Sequence, residues 1–365
     1  IYPHAYRDHW AAQQYLPSSL RGKTFYTPSS IGYESRIREE VLKKREIQAA
    51  VIMGDGNAHS EILTWSASSK GREGWFKRLE SGRGALLLSD RDRIFETCAI
   101  ARHHRILIPA ANDGLLLWES LRRVPEGLAA ALVDSEAARE ALLRFSSVLD
   151  EAEEPRIAVT SGLLPGPEEA EACFGSGIFD HILSREPWRR LTGSPPGLFA
   201  AFAEAARRLL APGGDLATLQ SPPRLGERIS RILSEECGAP ALTVEKLSQA
   251  EEAFFSGSGA LKGEKGSQTG SSSRWTWDAG VLEESFKKAG FAAELRVLEQ
   301  KEERLLSARD IALWFDAEHS SWGAFVAEAL GEADFLRLRQ MLEERIKQGP
   351  IEWKWKSLLL RAILN

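Results

Sequence analysis

The stretch "RILIPAANDGLLLWESLRRVPEGLAAALVDSE", residues 105–136, decides the fold of this chain. Two short apolar runs, each bounded by turn residues, predict strands at 105–109 and 129–133. The amphipathic segment between them predicts a helix at 114–123. A strand, a crossover helix and a second strand form the unit from which parallel sheets are built.

The same alternation continues along the chain and predicts further strands at 156–160, 178–184, 214–220 and 291–300, with helices at 135–149, 197–210, 278–289, 307–316 and 323–347. The final stretch, 351–363, alternates apolar and charged residues at its start, which is typical of a strand with one covered face. We expect it to lie antiparallel beside the strand that contains Leu216. The predicted fold class is therefore α/β, a Rossmann-like mixed sheet of seven strands with helices on both faces.

The expected binding site lies at the carboxyl ends of the strands, where open parallel sheets hold their ligands. The first turn from strand to helix runs from Pro109 to Gly114. Asp134 follows at the end of the second strand, at the spacing from which a carboxylate accepts the ribose hydroxyls of a bound nucleoside. The loop between them lacks most of the glycines that such a site uses.

Three downstream segments resemble the class I S-adenosylmethionine-dependent methyltransferases: "IFDHILSREPW" at 178–188, "AARRLLAPGGDLATLQS" at 205–221 and "LEESFKKAGFAAELRVLE" at 282–299. They are similar to that family's fourth strand, its "LkPGG" turn with the fifth strand, and its "aGF" approach to the sixth. The antiparallel last strand marks the same fold, and the resemblance covers about residues 73–365. It implies S-adenosylmethionine as cofactor, held by Ala110, Asn112, Asp113, Gly114, Asp134 and Ser184.

The departures from this family lie in the cofactor loop. Laid on the family pattern of an acid followed by GxGxG, Ile108 takes the place of the acid, and Ala110 and Asn112 take the places of the first two glycines. Gly114 alone is kept. This pattern favours weak or no cofactor binding, so both a degenerate binding module and an active methyltransferase with a nucleic-acid or protein acceptor stay open. A nicotinamide-cofactor domain is a third alternative, which "APGG" and the antiparallel last strand disfavour.

The segment "SREPW", 184–188, stands where base-modifying members of this family carry [N/D]PP[Y/F/W]. Glu186 and Trp188 are the candidate catalytic residues, as a base and as a stacking platform for a flipped base. The alternatives are a solvated surface carboxylate for Glu186 and a packing residue for Trp188, and the sequence favours these alternatives.

The amino-terminal segment 8–42 resembles a different family, the end of the RarA (MgsA) AAA+ ATPases. The matching residues are His9, Trp10, Gln13, Gln14, Tyr15, Leu16, Pro17, Tyr26, Pro28, Gly32, Tyr33 and Glu34. The resemblance implies a parent protein that acts at stalled replication forks, with ATP, DNA or replication-protein contacts and tetramer formation located upstream of Ile1. We predict three regions: the oligomerisation-domain tail at 1–46, a linker at 47–71 and the methyltransferase-like domain at 72–365.

Composition excludes several other classes of protein. The 365 residues carry a net charge of −5 and 43% hydrophobic residues, which is ordinary for a globular protein and does not indicate a nucleic-acid partner for the chain as a whole. The three cysteines are far apart, and His103 and His104 precede the first strand, at the edge opposite the expected site. We therefore predict no metal site and no disulfide. We also expect no membrane contact and a cytoplasmic protein.

Overall fold

The computed structural model describes residues 26, 28, 32–54, 80–146, 155–160, 164–188, 195–257 and 277–364. Most of the RarA-like tail, the later part of the predicted linker and most of the Gly/Ser-rich segment 256–274 lie outside the described residues. None of the described helices is long and apolar enough to cross a membrane.

The helices and strands occur in the following order: α1 (Gly32–Gly54), α2 (Glu80–Glu96), β1 (Arg105–Ile108), α3 (Leu115–Arg123), β2 (Leu128–Val133), α4 (Glu136–Ser146), β3 (Arg156–Val159), α5 (Pro167–Phe174), β4 (Phe179–Arg185), α6 (Pro195–Leu209), β5 (Leu210–Gln220), α7 (Ile229–Glu235), α8 (Ala241–Ser256), α9 (Ala279–Lys288), β6 (Phe291–Arg304), α10 (Ala308–Trp314), α11 (Ser321–Leu330), α12 (Glu332–Arg345) and β7 (Ile351–Leu364). The predicted strands are all present. The predicted helix 323–347 is two helices, because the chain turns at Gly331, whose φ of 80° ends α11 and begins α12.

The seven strands form one sheet in the order β3-β2-β1-β4-β5-β7-β6. Strands β1 to β5 pair in parallel, whereas β7 lies antiparallel between β5 and β6. Leu216 of β5 pairs with Ala362 of β7, so the last strand is inserted where the sequence predicted. This order with an antiparallel seventh strand is the class I methyltransferase fold.

The sheet is covered on both faces because successive side chains of its central strands are apolar. In β1, Leu107 belongs to the apolar core that contains helices α5, α6 and α9. Its neighbours Ile106 and Ile108 belong to the opposite core, which contains residues of α2, α3 and α4. All three are fully buried. Two-sided burial of this kind is what makes the parallel strands read as continuous apolar runs.

A third apolar cluster forms a helical cap at the carboxyl end of the sheet. Helices α7, α8 and α10 to α12 pack there around Ile351 and Trp353 of β7. The pairing of β5 with β7 ends at Gln220 and Leu358, so the first part of β7 extends beyond β5 into this cap. Helices α7 and α8 had no counterpart in the sequence prediction. The cap places a second packed unit next to the edge where the ligand site was expected.

Helix α1 crosses the predicted boundary at residue 46, because it continues without interruption to Gly54. The first residues of the predicted linker, 47–54, are therefore helical. Ile47 and Ala50 are buried against Leu87 of α2 and Leu115 of α3. The helix that leads out of the RarA-like tail is thus packed onto the methyltransferase-like domain rather than separated from it by a loop.

Candidate functional site

The loop after β1 keeps the backbone of a glycine-rich turn. Ala110 has a φ of 55°, in the left-handed region that favours glycine, and an L-residue there costs about 1–2 kcal/mol. Gly114 has a φ of 70°, and a Cβ at this position would lie 2.5 Å from Trp118 Nε1 and 2.7 Å from Leu142 Cδ2. Only glycine fits at residue 114. The loop therefore retains its shape although only one of the expected glycines is present.

The side chain of Asn112 spans the gap between this loop and the end of β2. Its Nδ2 donates to Asp134 Oδ2 at 3.2 Å, and its Oδ1 accepts from the Asp134 backbone N–H at 3.0 Å. The other carboxylate oxygen, Asp134 Oδ1, accepts from Ser135 Oγ at 3.0 Å. Both oxygens that a ribose would use therefore already accept hydrogen bonds from the protein.

Asp113 occupies the amino terminus of helix α3. Its Oδ1 accepts from the Leu115 backbone N–H at 3.1 Å, which places a negative charge at the positive end of the helix dipole. Its Oδ2 accepts from Arg185 Nη2 at 2.5 Å. Because Asp113 follows β1 and Arg185 ends β4, this ion pair crosses the edge of the sheet between two adjacent strands. Both side chains are largely buried, at 15% and 17% exposure.

A second carboxylate, Asp90 of helix α2, interacts with the charge of Arg185. Burial raises the pKa of Asp90, and the charges of Arg185 and Arg93 oppose that rise. Gln300 of β6 also donates to Asp90 Oδ1 at 3.0 Å. Burial by itself lowers the pKa of Arg185, but the charges of Asp113 and Asp90 hold it above its usual value. The guanidinium is therefore a buried cation that is paired with Asp113 and further stabilised by the charge of Asp90.

The remaining predicted residues lie beneath or beside this edge. Ser184 is fully buried in β4, and its Oγ has no partner among the described residues. Trp188 is 7% exposed, and its ring packs edge to face on Phe199 and Phe202. Trp188 is therefore surrounded as a packing residue is. To stack on a flipped base, its side chain would have to leave the core.

Glu186 is held by the end of β5 and is not a free surface carboxylate, contrary to the alternative that the sequence favoured. Its Oε1 accepts from the Ser221 backbone N–H at 2.9 Å, and Gln220 donates to its Oε2. Its own backbone N–H donates to Leu219 O at 2.8 Å. Its φ of 51° is left-handed, so this turn is constrained. A carboxylate bound in this way serves first to fix the turn after β4.

The structure thus brings together five of the predicted cofactor residues: Ala110, Asn112, Asp113, Gly114 and Asp134. We call the space between this loop and the end of β4 the crevice. Arg185, the cation of the crevice, drew attention in the sequence only as a departure from the family motif within "SREPW". Asp90 belongs to no motif. The sequence signal for Arg185 and Asp90 is the presence of charged residues at the end of a strand and on a helix beside it.

The amino-terminal resemblance is confirmed: residues 1–45 match the family model of the MgsA AAA+ ATPase C terminal. No curated protein sequence matches the chain. Among solved structures, the chain is similar to the YcgJ protein from Bacillus subtilis, with 12% identity, a TM-score of 0.42, and 76% of this chain and 99% of that chain covered.

It is also similar to the cyclopropane synthase MmaA2 from Mycobacterium tuberculosis, with 16% identity, a TM-score of 0.38, and 87% and 97% of the two chains covered. A third similar structure is phosphoethanolamine N-methyltransferase 2 from Haemonchus contortus in complex with S-adenosyl-L-methionine, with 13% identity, a TM-score of 0.36, and 77% and 52% covered. Likeness at this level carries no argument about ligands. The class I methyltransferase fold is identified by the strand order itself.

Proposed function

We propose that this chain is the carboxy-terminal region of a RarA/MgsA-type AAA+ ATPase of replication-fork recombination, and that its methyltransferase-like domain serves as a binding or interaction module. The match over residues 1–45 supports the first half of the proposal. In this proposal the ATP site, the tetramer contacts and the contacts to DNA or replication proteins belong to the upstream part of a cytoplasmic parent protein.

The single observation that carries the second half is the ion pair between Arg185 and Asp113 across the crevice. A cofactor that enters between β1 and β4 would have to displace this pair or share the space with it. Displacing one partner alone leaves a buried charge unpaired, which costs about 3–5 kcal/mol. Such a cost opposes the binding of any small molecule that does not supply its own replacement charge.

The residues present do not fit S-adenosylmethionine well. Ile108, at the place of the family's acid, is fully buried in the apolar core and offers no group to the loop amides or to a ligand ammonium. Ala110 adds a methyl group where a glycine backbone would approach the ligand. Asn112 takes one of the acceptor positions of the Asp134 carboxylate.

Calorimetry on the 365-residue chain with S-adenosylmethionine and S-adenosylhomocysteine tests the proposal. We expect no binding, or a dissociation constant weaker than about 1 mM, which corresponds to about 4 kcal/mol. Asp134→Ala is the matched control, because it removes the ribose acceptor while it leaves the ion pair of the crevice in place. A micromolar dissociation constant that Asp134→Ala raises at least tenfold would refute the proposal that the domain is only a binding or interaction module.

The second candidate function is an active S-adenosylmethionine-dependent methyltransferase with a nucleic-acid or protein acceptor. What favours it is that Asp134 is retained at the end of β2 and that Ala110 and Gly114 keep the left-handed backbone of a cofactor loop. Incubation of the chain with methyl-labelled S-adenosylmethionine, DNA and a cell extract distinguishes the two candidates. Label transferred to an acceptor by this chain, and not by Asp134→Ala, would establish the enzyme.

A further inference from the structure

Three side chains with metal-binding atoms meet at the amino edge of the sheet, opposite the crevice. Cys98 lies in the segment between α2 and β1, His181 near the start of β4, and Asp215 on β5, paired with His181. One ligand atom from each residue lies within 4.8 Å of the other two. His181 and Asp215 are 5% and 4% exposed. The three residues are distant in the sequence and are brought together by the fold.

The hydrogen-bond partners of His181 call for a donor on both sides of its ring. The Ala101 backbone N–H donates to His104 Nδ1 at 3.1 Å, so this nitrogen is an acceptor. His181 Nε2 lies 2.8 Å from the same nitrogen and must therefore carry a hydrogen. On its other side, His181 Nδ1 lies 2.5 Å from Asp215 Oδ1, and a carboxylate oxygen only accepts.

Either a second ring proton or a metal ion can satisfy the contact between His181 Nδ1 and Asp215 Oδ1. A proton needs only these two atoms. The thiol of Cys98, which is hydrogen-bonded to Asp215, converges on the same point, whereas a proton shared by nitrogen and oxygen involves only two of the three residues. A thiolate, an imidazole and a carboxylate that converge on one point are, in contrast, the ligand types that zinc takes in proteins.

We propose that Cys98 Sγ, His181 Nδ1 and Asp215 Oδ1 bind a zinc ion, with a water molecule as the fourth ligand. Zinc takes the place of the proton between the ring and the carboxylate, which move apart from 2.5 Å to about 3.3 Å, the separation of tetrahedral ligands at about 2.0–2.1 Å from the ion. The Nδ1 proton of His181 and the thiol proton of Cys98 leave to solvent. His181 then keeps its hydrogen on Nε2 and donates it to His104. This is the arrangement in which the second ring nitrogen of a zinc-bound histidine is oriented by a hydrogen bond.

The surrounding groups leave the required lone pairs free. Arg361 Nη2 donates to Asp215 Oδ2 at 3.2 Å, so Oδ1 stays available to the metal. Cys98 and His104 are partly exposed residues at this edge of the sheet. The bound ion would tie the segment after α2 to the adjacent strands β4 and β5. It is separate from the crevice, and its binding does not depend on the function proposed above.

Cobalt(II) added to the metal-free, reduced 365-residue chain tests this site, because cobalt takes the ligand set of zinc and a cobalt–thiolate bond gives a charge-transfer absorption. We expect about one equivalent of cobalt per chain, with this absorption present, and displacement of cobalt by zinc. Cys98→Ser should abolish the charge-transfer absorption. The matched controls Cys173→Ser and Cys237→Ser should keep it, since neither thiol lies in the cluster.

His104→Ala adds a second test that does not remove a ligand. Loss of the orienting hydrogen bond to His181 should weaken zinc binding about 10–100-fold while the cobalt–thiolate absorption remains. Circular dichroism of each variant establishes that it is folded. Failure of the folded parent chain to bind cobalt or zinc, or an absorption that Cys98→Ser leaves intact, would overturn the proposal.

Discussion

Arg185→Met is the substitution that most directly tests how the crevice is held together. Methionine keeps much of the length and apolar surface of arginine but removes the cation. Asp113 then loses its partner at 2.5 Å, and Asp90 loses one of the two positive charges that oppose the effect of its burial. The substitution therefore leaves Asp113 without its ion-pair partner and Asp90 with Arg93 as its remaining countercharge.

The expected loss follows from the burial of the pair. Removing one partner of a buried ion pair destabilises a protein by about 3–5 kcal/mol, whereas an exposed pair contributes about 0–1 kcal/mol. At about 2–4 °C per kcal/mol for a domain of this size class, Arg185→Met should lower the melting temperature by about 6–20 °C. Arg207→Met is the matched control, because Arg207 is 55% exposed and its contact with Glu204 is 3.8 Å long.

A double-mutant cycle in urea unfolding, followed by circular dichroism, isolates the pair. Asp113→Asn keeps an oxygen for the Leu115 N–H and leaves Arg185 facing Asp90, so it should cost less than Arg185→Met. The double variant should be more stable than the sum of the single losses predicts, by about 0.5–3 kcal/mol. Strict additivity, or a loss for Arg185→Met no larger than that of Arg207→Met, would refute this account of the crevice.

The same variant should be sensitive to pH. Burial already raises the pKa of Asp90, and the loss of Arg185 removes an interaction that lowers it. A carboxyl group with a higher pKa in the folded than in the unfolded protein binds protons on folding. Its contribution to stability therefore falls as the pH rises through the interval between the two values. The loss caused by Arg185→Met should thus be smaller at about pH 5 than at about pH 7, and an equal loss at both would contradict the role given to Asp90.

Three further predictions concern the loop and helix α1, each measured by the urea midpoint. Gly114→Ala places a methyl group 2.5 Å from Trp118 Nε1 at a left-handed φ, so it should cost more than about 2 kcal/mol; an unchanged midpoint would contradict the loop geometry. Ala110→Gly should stabilise the fold by up to about 1 kcal/mol, because relief of the left-handed strain exceeds the gain in unfolded-state entropy; destabilisation would show that the methyl group packs favourably. Glu46→Gln weakens a two-bond contact with Arg122 and should cost about 1.5–3 kcal/mol; no effect would mean that α1 is not held there.

The sheet was predictable because its evidence is local. Residues 105–136 carry two apolar runs and an amphipathic segment, and the structure has β1, α3 and β2 there. The alternation at the start of 351–363 also predicted a strand, with Ile351 and Trp353 buried and the charged residues between and after them outside. The spacing of apolar residues shows which face of a helix or strand is buried. Together with the order of helices and strands along the chain, this information is enough to predict the fold class.

The local sequence pattern could not predict the helix boundaries that depend on packing against distant parts of the chain. Helix α1 continues through residues 47–54 because Ile47 and Ala50 pack against α2 and α3. The sequence analysis predicted a linker there because small residues are frequent in this part of the chain. The helical cap was missed in part for the same reason: the short helix α7 is amply buried but has few turns in which to show a period. Burial by a distant element stabilises such segments more than their own propensity does.

The sequence by itself determined the order of the strands, the resemblance of the tail and the position of the loop that ends in Gly114. Only the tertiary structure decided what surrounds that loop. Arg185 pairs with Asp113 and interacts with the charge of Asp90, and the side chains of Cys98, His181 and Asp215 come together, although these residues are far apart in the chain. The partner of a charged or metal-binding side chain leaves no periodic pattern in the sequence. It depends on which strand ends and helices the folded sheet brings together.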